Sequence, residues 1–315
     1  MQNARGRLQD PWKRRPPQPW PNPLWEEHYT LSANHRGARA ELEASFAYWS
    51  RAQQTYLGFD DRVLVGLGLA RTLWVQGQAG QAVERARQTI KDAERSTNPA
   101  SLAVALAWVP DIFVWIGDLQ NAEEYADWLI SHAEANSLRP YVHVGRGYKG
   151  ALAIRRGDAS DGVETLQECL EQLHAVHYEM RNTEFKIVLT QGLVATGQLN
   201  EGMMLIDETI RKVEENGDFF FMPEAMRVKG SILQLLPEPR ADDPEAWLVQ
   251  SLELSRRQGA RAWELRSAID LAAILSDRGQ PERARTLLRP LVEQFVDGFA
   301  MADLTAANIL LSALG

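Results

Sequence analysis

Gly77-Gln-Ala-Gly-Gln-Ala82, Gly117-Asp-Leu-Gln-Asn-Ala122, Gly157-Asp-Ala-Ser-Asp-Gly162 and Gly197-Gln-Leu-Asn-Glu-Gly202 begin forty residues apart in a chain of 315 residues. A fixed period of this size marks a chain built by stacking one supersecondary unit. Apolar spacing is helical on both sides of each phrase. Before Gly77, Leu67, Ala70, Leu73 and Trp74 recur at the three- and four-residue steps of one helix face, and after it Ala82, Ala86 and Ile90 do the same. Each unit is therefore a helical hairpin, and the glycine is its turn.

Counting from the glycine aligns the second helices. Five residues on stand Ala82, Ala122, Gly162 and Gly202; thirteen on stand Ile90, Ile130, Leu170 and Ile210. The small residue lets the two helices cross closely near the turn, and the aliphatic one fills the widening gap. The glycine is expected in the left-handed conformation that ends a helix, with Asp118 and Asp158 suited to start the next. Extending the phase gives a half-unit at Gly37 whose helix runs from Ala38 to Gln54, a longer turn at Pro237, and a last phrase, Gly279-Gln-Pro-Glu-Arg-Ala284. The reading is five complete hairpins after a half-unit, then a less regular cap. Pro110, inside a first helix, is expected to kink or break it.

The predicted fold is all-α, a solenoid of helical hairpins over residues 31–315; paired helices with a small residue after a glycine turn resemble the tetratricopeptide class, which makes it a tetratricopeptide-like α-solenoid. Residues 1–30 differ. Six prolines between Pro11 and Pro23, with the basic cluster Lys13-Arg14-Arg15, read as a disordered leader.

Bulk chemistry narrows the function. A net charge of −8 gives no global field to draw the chain onto nucleic acid or an anionic membrane. One cysteine, Cys169, cannot form an intramolecular disulfide. No stretch resembles a signal peptide, and no later run is read as a membrane span, so a cytoplasmic location is expected. His174-Ala-Val-His177, with Glu179 and Cys169 nearby, has the spacing of metal ligands but lacks the convergence that zinc needs, and is read as surface histidine. There is no Gly-x-Ser-x-Gly, no His-Glu-x-x-His and no phosphate loop, so neither an enzyme nor a cofactor is predicted.

Binding is the function expected of such a scaffold. If the first helices line the concave surface, counting back thirteen from each turn gives Val104, Val144, Glu184, Glu224 and Arg266, and counting back eleven gives Leu106, Arg146, Lys186 and Met226. This predicts a groove with an apolar end and a charged centre. Arg146, Tyr148, Lys186, Glu224, Arg227, Trp263 and Arg266 are the candidate contacts to a peptide, a protein or a small-molecule effector, since arginine and aromatic side chains anchor such surfaces. Salt bridges between adjacent first helices are the competing role for these charges. Trp74, Trp108, Trp115, Trp128 and Trp247 are assigned to the core. Self-association through the open N-terminal end is the alternative function, and an enzyme of unrecognised type is the remaining, less favoured one.

Two stretches are more specific than the period: Met222-Pro-Glu-Ala-Met-Arg-Val-Lys-Gly230, and Gly259-Ala-Arg-Ala-Trp-Glu-Leu-Arg266 continuing through Gly279–Leu288 to Phe295-Val-Asp-Gly-Phe299 and Ala302-Asp-Leu304. Together with the paired helices they resemble the C-terminal tetratricopeptide-like region of bacterial multidomain signalling ATPases, over about residues 35–313. In that family the repeats follow a nucleotide-binding module and a cyclase or winged-helix regulator domain. The resemblance implies a sensor region, either a stand-alone arm or a remnant of a longer regulator.

Overall fold

The computed structural model describes residues 35–49, 55–56, 59–237, 242–295 and 301–314. The proposed leader, and the residues that follow it up to 34, lie outside the described residues. Fourteen helices are described: α1 (His35–Trp49), α2 (Asp61–Val75), α3 (Ala79–Glu94), α4 (Pro99–Ile116), α5 (Leu119–Ala135), α6 (Arg139–Arg156), α7 (Ala159–Ala175), α8 (Asn182–Ala195), α9 (Leu199–Asn216), α10 (Met222–Leu235), α11 (Pro244–Gln258), α12 (Arg261–Asp277), α13 (Pro281–Val292) and α14 (Ala302–Ala313). Two short strands, β1 (Thr55–Tyr56) and β2 (Phe59–Asp60), pair antiparallel ahead of α2.

The chain is an all-α solenoid of six hairpins, α2–α3 to α12–α13, between single helices α1 and α14. The turn glycines have the positive φ that their positions require, for example +90° at Gly117. Gly117 N–H donates to Val114 O (3.2 Å) and Asp118 N–H to Phe113 O (2.9 Å). This pair of bonds satisfies the carbonyls left over at the end of α4. Asp118 then caps α5 through the Asn121 N–H (3.2 Å), whereas Asp158 makes no such side-chain bond.

A second ladder, offset by twenty residues, ends the second helices. Ser137, His177, Gly217 and Gly259 all have positive φ. Leu138 N–H donates to Ala133 O and Tyr178 N–H to Leu173 O, both at 2.9 Å. Hairpin turns and inter-hairpin turns thus share one geometry. Because two of the four residues are not glycine, composition hides this ladder.

Close crossing beside the turn occurs where the small residues were expected. A side chain at Gly162 would stand 2.7 Å from Gly150 O, so α6 and α7 meet almost backbone to backbone.

Several expectations need correction. Gly37 is inside α1, not in a turn; that helix begins at His35 and is described to Trp49, and the expected continuation over residues 50–54 lies outside the described residues. The sixth hairpin is regular, with Gly279 N–H bonded to Ser276 O at 2.9 Å. Pro110 does not break α4, which continues to Ile116. Tyr148 from α6 directs its hydroxyl at the Ala107 carbonyl (3.0 Å) beside the proline. Helix α4 is also, by length and composition, apolar enough to cross a membrane, with mean hydropathy 1.7 over 18 residues. Its apolarity has a packing cause, because α4 is enclosed by neighbouring hairpins and most of its residues are buried.

First helices form the inner layer. Each of α2, α4, α6, α8, α10, α12 and α14 packs against the next, and the second helices lie outside them. The superhelix is tight enough for α12 to touch α2 and for α14 to touch α4. Five hairpins therefore complete one turn, and the sixth rests on the first. An aromatic cluster seals this contact. Trp74 lies 4.4 Å from Trp115 and 4.7 Å from Trp263 between ring centroids, with Phe220 and Phe221 at its edge.

Candidate functional site

Tight winding decides which side chains can meet a ligand. Residues that an open solenoid would display along a groove are divided here between a buried polar cluster and a small cavity on the inner surface.

The buried cluster joins α4, α6 and α8. The Arg181 guanidinium reaches Asp111 Oδ1 (2.5 Å), the Tyr148 hydroxyl (2.8 Å) and the Glu184 carboxylate. Its Cζ lies 4.4 Å from the centroid of the Trp108 ring. The Tyr148 hydroxyl also faces Asp111, and Trp115 Nε1 donates to Glu184 Oε1 at 3.1 Å. Burial raises Glu184 above the usual carboxylate range, although the Arg181 charge opposes it. Burial also drives Tyr148 well above an ordinary phenol. Nearby, Arg71 is buried with Phe220 at 4.1 Å and Trp108 at 4.6 Å, and its pKa is lowered, first by burial.

Beyond Trp115 the second arrangement begins. Arg266 Nη2 donates to Trp115 O (3.1 Å), linking α12 to α4 across 151 positions of sequence. Its Nε donates to Asp303 Oδ2 on α14 (2.8 Å). Arg227 forms a two-pronged contact with Glu224, both bonds 2.8 Å, and a third bond to Asp270 Oδ2 (2.6 Å). Burial alone would raise Glu224, but Arg227 and then Arg266 hold its carboxyl down at about 2.

These groups wall a cavity of about 220 Å³ together with Arg155, Gln191, Ile269 and Ala306. Five successive inner helices, α6, α8, α10, α12 and α14, each contribute. Arg155 is the group that the wall leaves uncommitted. Among the described residues neither it nor Gln191 has a hydrogen-bond or ion-pair partner. Arg155 keeps much of its surface open to water, yet the surrounding protein lowers its pKa, desolvation leading and repulsion from Arg266 second.

The candidates read from sequence lie as follows. Glu224, Arg227 and Arg266 line the cavity and are bound to one another and to Asp270 and Asp303. Tyr148 belongs to the buried cluster, and Trp263 is 1% exposed within the aromatic seal. Lys186 pairs with Glu208 on α9 (2.9 Å), the outer helix of its own hairpin. Arg146 is exposed and apart from the cavity. Lys186 and Arg146 come from the positions eleven before the turn. Positions eleven and thirteen before the turn are two residues apart, about 200° round a helix, so they cannot share a face.

Inner positions instead fall at thirteen, nine, six and two before each turn. Extending the count forward by helical spacing reaches Gln191, six before Gly197, and Arg155, two before Gly157. Of the tryptophans assigned to the core, Trp74 and Trp115 are buried, while Trp108, Trp128 and Trp247 are half-buried against it. His174 and His177 are exposed, with His174 Nδ1 at 3.2 Å from Glu179. Cys169 is buried, its thiol directed at His143 O and pushed up to about 12 by burial.

The sequence matches no protein-family model and no curated protein. In three dimensions the chain is similar to a Rap protein complexed with Competence and Sporulation Factor, with TM-score 0.54 and 10% identity over 93% of this chain and 96% of that one. It is similar to NprR in complex with its cognate peptide NprX, with TM-score 0.51 and 14% identity over 92% and 81%. The fold is tetratricopeptide-like. A third similar structure is a signal transduction ATPase with numerous domains from Pyrococcus horikoshii that carries a tetratricopeptide repeat sensor. There the TM-score is 0.50 and identity 10%, over 92% of this chain and 44% of that one, so this chain spans less than half of that protein.

Proposed function

We propose that this chain is a non-catalytic protein- or peptide-binding sensor region of a bacterial signal-transduction regulator. The regulator is of the kind that couples repeats to a nucleotide-binding module with a cyclase or winged-helix output. One observation carries the reading: Arg155 faces an inner cavity to which four hairpins and the single helix α14 contribute, and among the described residues no side chain forms a hydrogen bond or ion pair with it. An unpaired guanidinium on a concave surface is a ready anchor for a ligand carboxylate or carbonyl. The similarity to NprR, whose structure holds a peptide, supports the same class of ligand.

Within this reading Arg155 and Gln191 touch the ligand, while Glu224, Arg227 and Arg266 hold the wall. Tyr148 and Trp263 fix the helices behind it, and Arg146 and Lys186 extend the contact to a larger partner outside. Binding would be relayed through curvature, since each repeat contacts few others and small interface changes accumulate. Selection of a random peptide display library on the full chain tests this. Enriched peptides should lose binding to the Arg155→Glu variant. Failure to enrich any sequence, or equal capture by the variant, overturns the proposal.

A further inference from the structure

We infer that the inner cavity binds a free α-amino acid with an aliphatic side chain, which makes this binding region a sensor of a small zwitterion. The inference deepens the binding-region reading and rests on it for the location of the site. Charge and uncommitted atoms lead to it separately, and size is compatible with it.

The charges on the wall cancel. Arg155, Arg227 and Arg266 are matched in number by Glu224, Asp270 and Asp303. A formally neutral wall disfavours a ligand with net charge, because a phosphate dianion, for example, would bring uncompensated charge into a partly desolvated space. A ligand with two opposite poles and no net charge matches it.

The uncommitted atoms supply the two poles. Arg155 and Gln191 offer donors with no partner among the described residues, which suits a carboxylate. On the opposite side, Asp303 uses Oδ2 for Arg266, and Asp270 uses Oδ2 for both Arg227 and Ser231. Among the described residues the second oxygen of each aspartate has no protein donor, which suits an ammonium group. Ile269 and Ala306 are the apolar part of the wall and set the side-chain class.

Size is compatible with this ligand. The cavity, about 220 Å³ and open on one side to solvent, has room for one amino acid between the two poles. Because α6 and α8 belong to the third and fourth hairpins while α12 and α14 lie five hairpins beyond the first and second, the ligand would bridge successive turns of the superhelix.

Isothermal titration of the full chain with L-alanine, L-valine and L-leucine tests the site, with the N-acetyl and the carboxamide derivative of each as controls. At least one free amino acid should bind, and removal of either pole should weaken it about 10- to 100-fold, the range for a hydrogen bond to a charged group. Arg155→Ala should weaken it by a similar factor; Arg155 is exposed, so the variant should fold. Hydrogen exchange in α14 should slow on binding. The inference is overturned if none of the three binds, if acetylated or amidated forms bind equally, or if Arg155→Ala binds as wild type does. Enriched display peptides without an amino-acid response would sink this inference and leave the broader binding reading intact.

Discussion

His35 illustrates how strongly a single buried side chain can couple this fold to its solution. It stands at the first position of α1, completely buried, with its ring edge-on to Phe220 at 5.4 Å and neither nitrogen hydrogen-bonded. Burial, and then the neighbouring Arg71 charge, lower its pKa to about 3 from 6.5. Between these values the unfolded chain binds a proton that the folded chain refuses. Stability is therefore fully present above about pH 6.5 and is lost as the pH falls towards 3. Urea midpoints measured from pH 7 to 4 should decrease, and the decrease should be shallower in His35→Phe. Equal slopes in the two proteins would show that His35 does not hold its proton off.

At the scale of the helical element, the turn ladder makes a paired prediction. Gly117 and Gly157 have the same left-handed backbone, at φ +90° and +100°. A methyl group at Gly157 meets nothing within 4 Å, whereas one at Gly117 would stand 2.8 Å from the Ala302 Cβ of α14. Gly157→Ala should cost about 1 kcal/mol, the penalty for the left-handed conformation alone. Gly117→Ala should cost more, by about 1–3 kcal/mol for the overpacked contact. Chemical denaturation of the two variants measures both.

The same pair marks what could be read from the sequence. The hairpins were legible because glycine has a distinct conformational preference and recurs in phase, and because Ala82, Ala122, Gly162 and Gly202 keep one register. The second ladder was not, because Ser137 and His177 adopt a glycine-like backbone under tertiary constraint. The inner face was only half legible. Glu224 and Arg266 were found by counting back thirteen, but Arg155 and Gln191 needed the helical spacing to be carried on to the turn. Contact between Gly117 and Ala302 depends on superhelical pitch, which no local pattern encodes.

For the molecule as a whole, pitch converts a groove into a cavity. Five hairpins close one turn, so α12 and α14 return to α2 and α4, and Trp263 enters the pocket of Trp74 and Trp115 instead of facing a ligand. The charged residues beside it then face one another across the inner surface, and Arg155 has no hydrogen-bond or ion-pair partner there among the described residues. An open solenoid would leave Trp263 and Arg266 in contact with adjacent repeats only. The two architectures differ in how far a local defect spreads.

Trp263→Ala, followed by hydrogen exchange with peptide-level resolution, tests this closure most directly. Loss of a buried tryptophan costs about 3–5 kcal/mol and leaves a cavity, so the variant should be partly loosened. If the sixth hairpin rests on the first, protection should fall in Asp61–Val75 and Pro99–Ile116 as well as in Arg261–Asp277. Loss of protection confined to the sixth hairpin and its sequence neighbours, with both distant helices unchanged, would contradict the closed superhelix and the cavity derived from it.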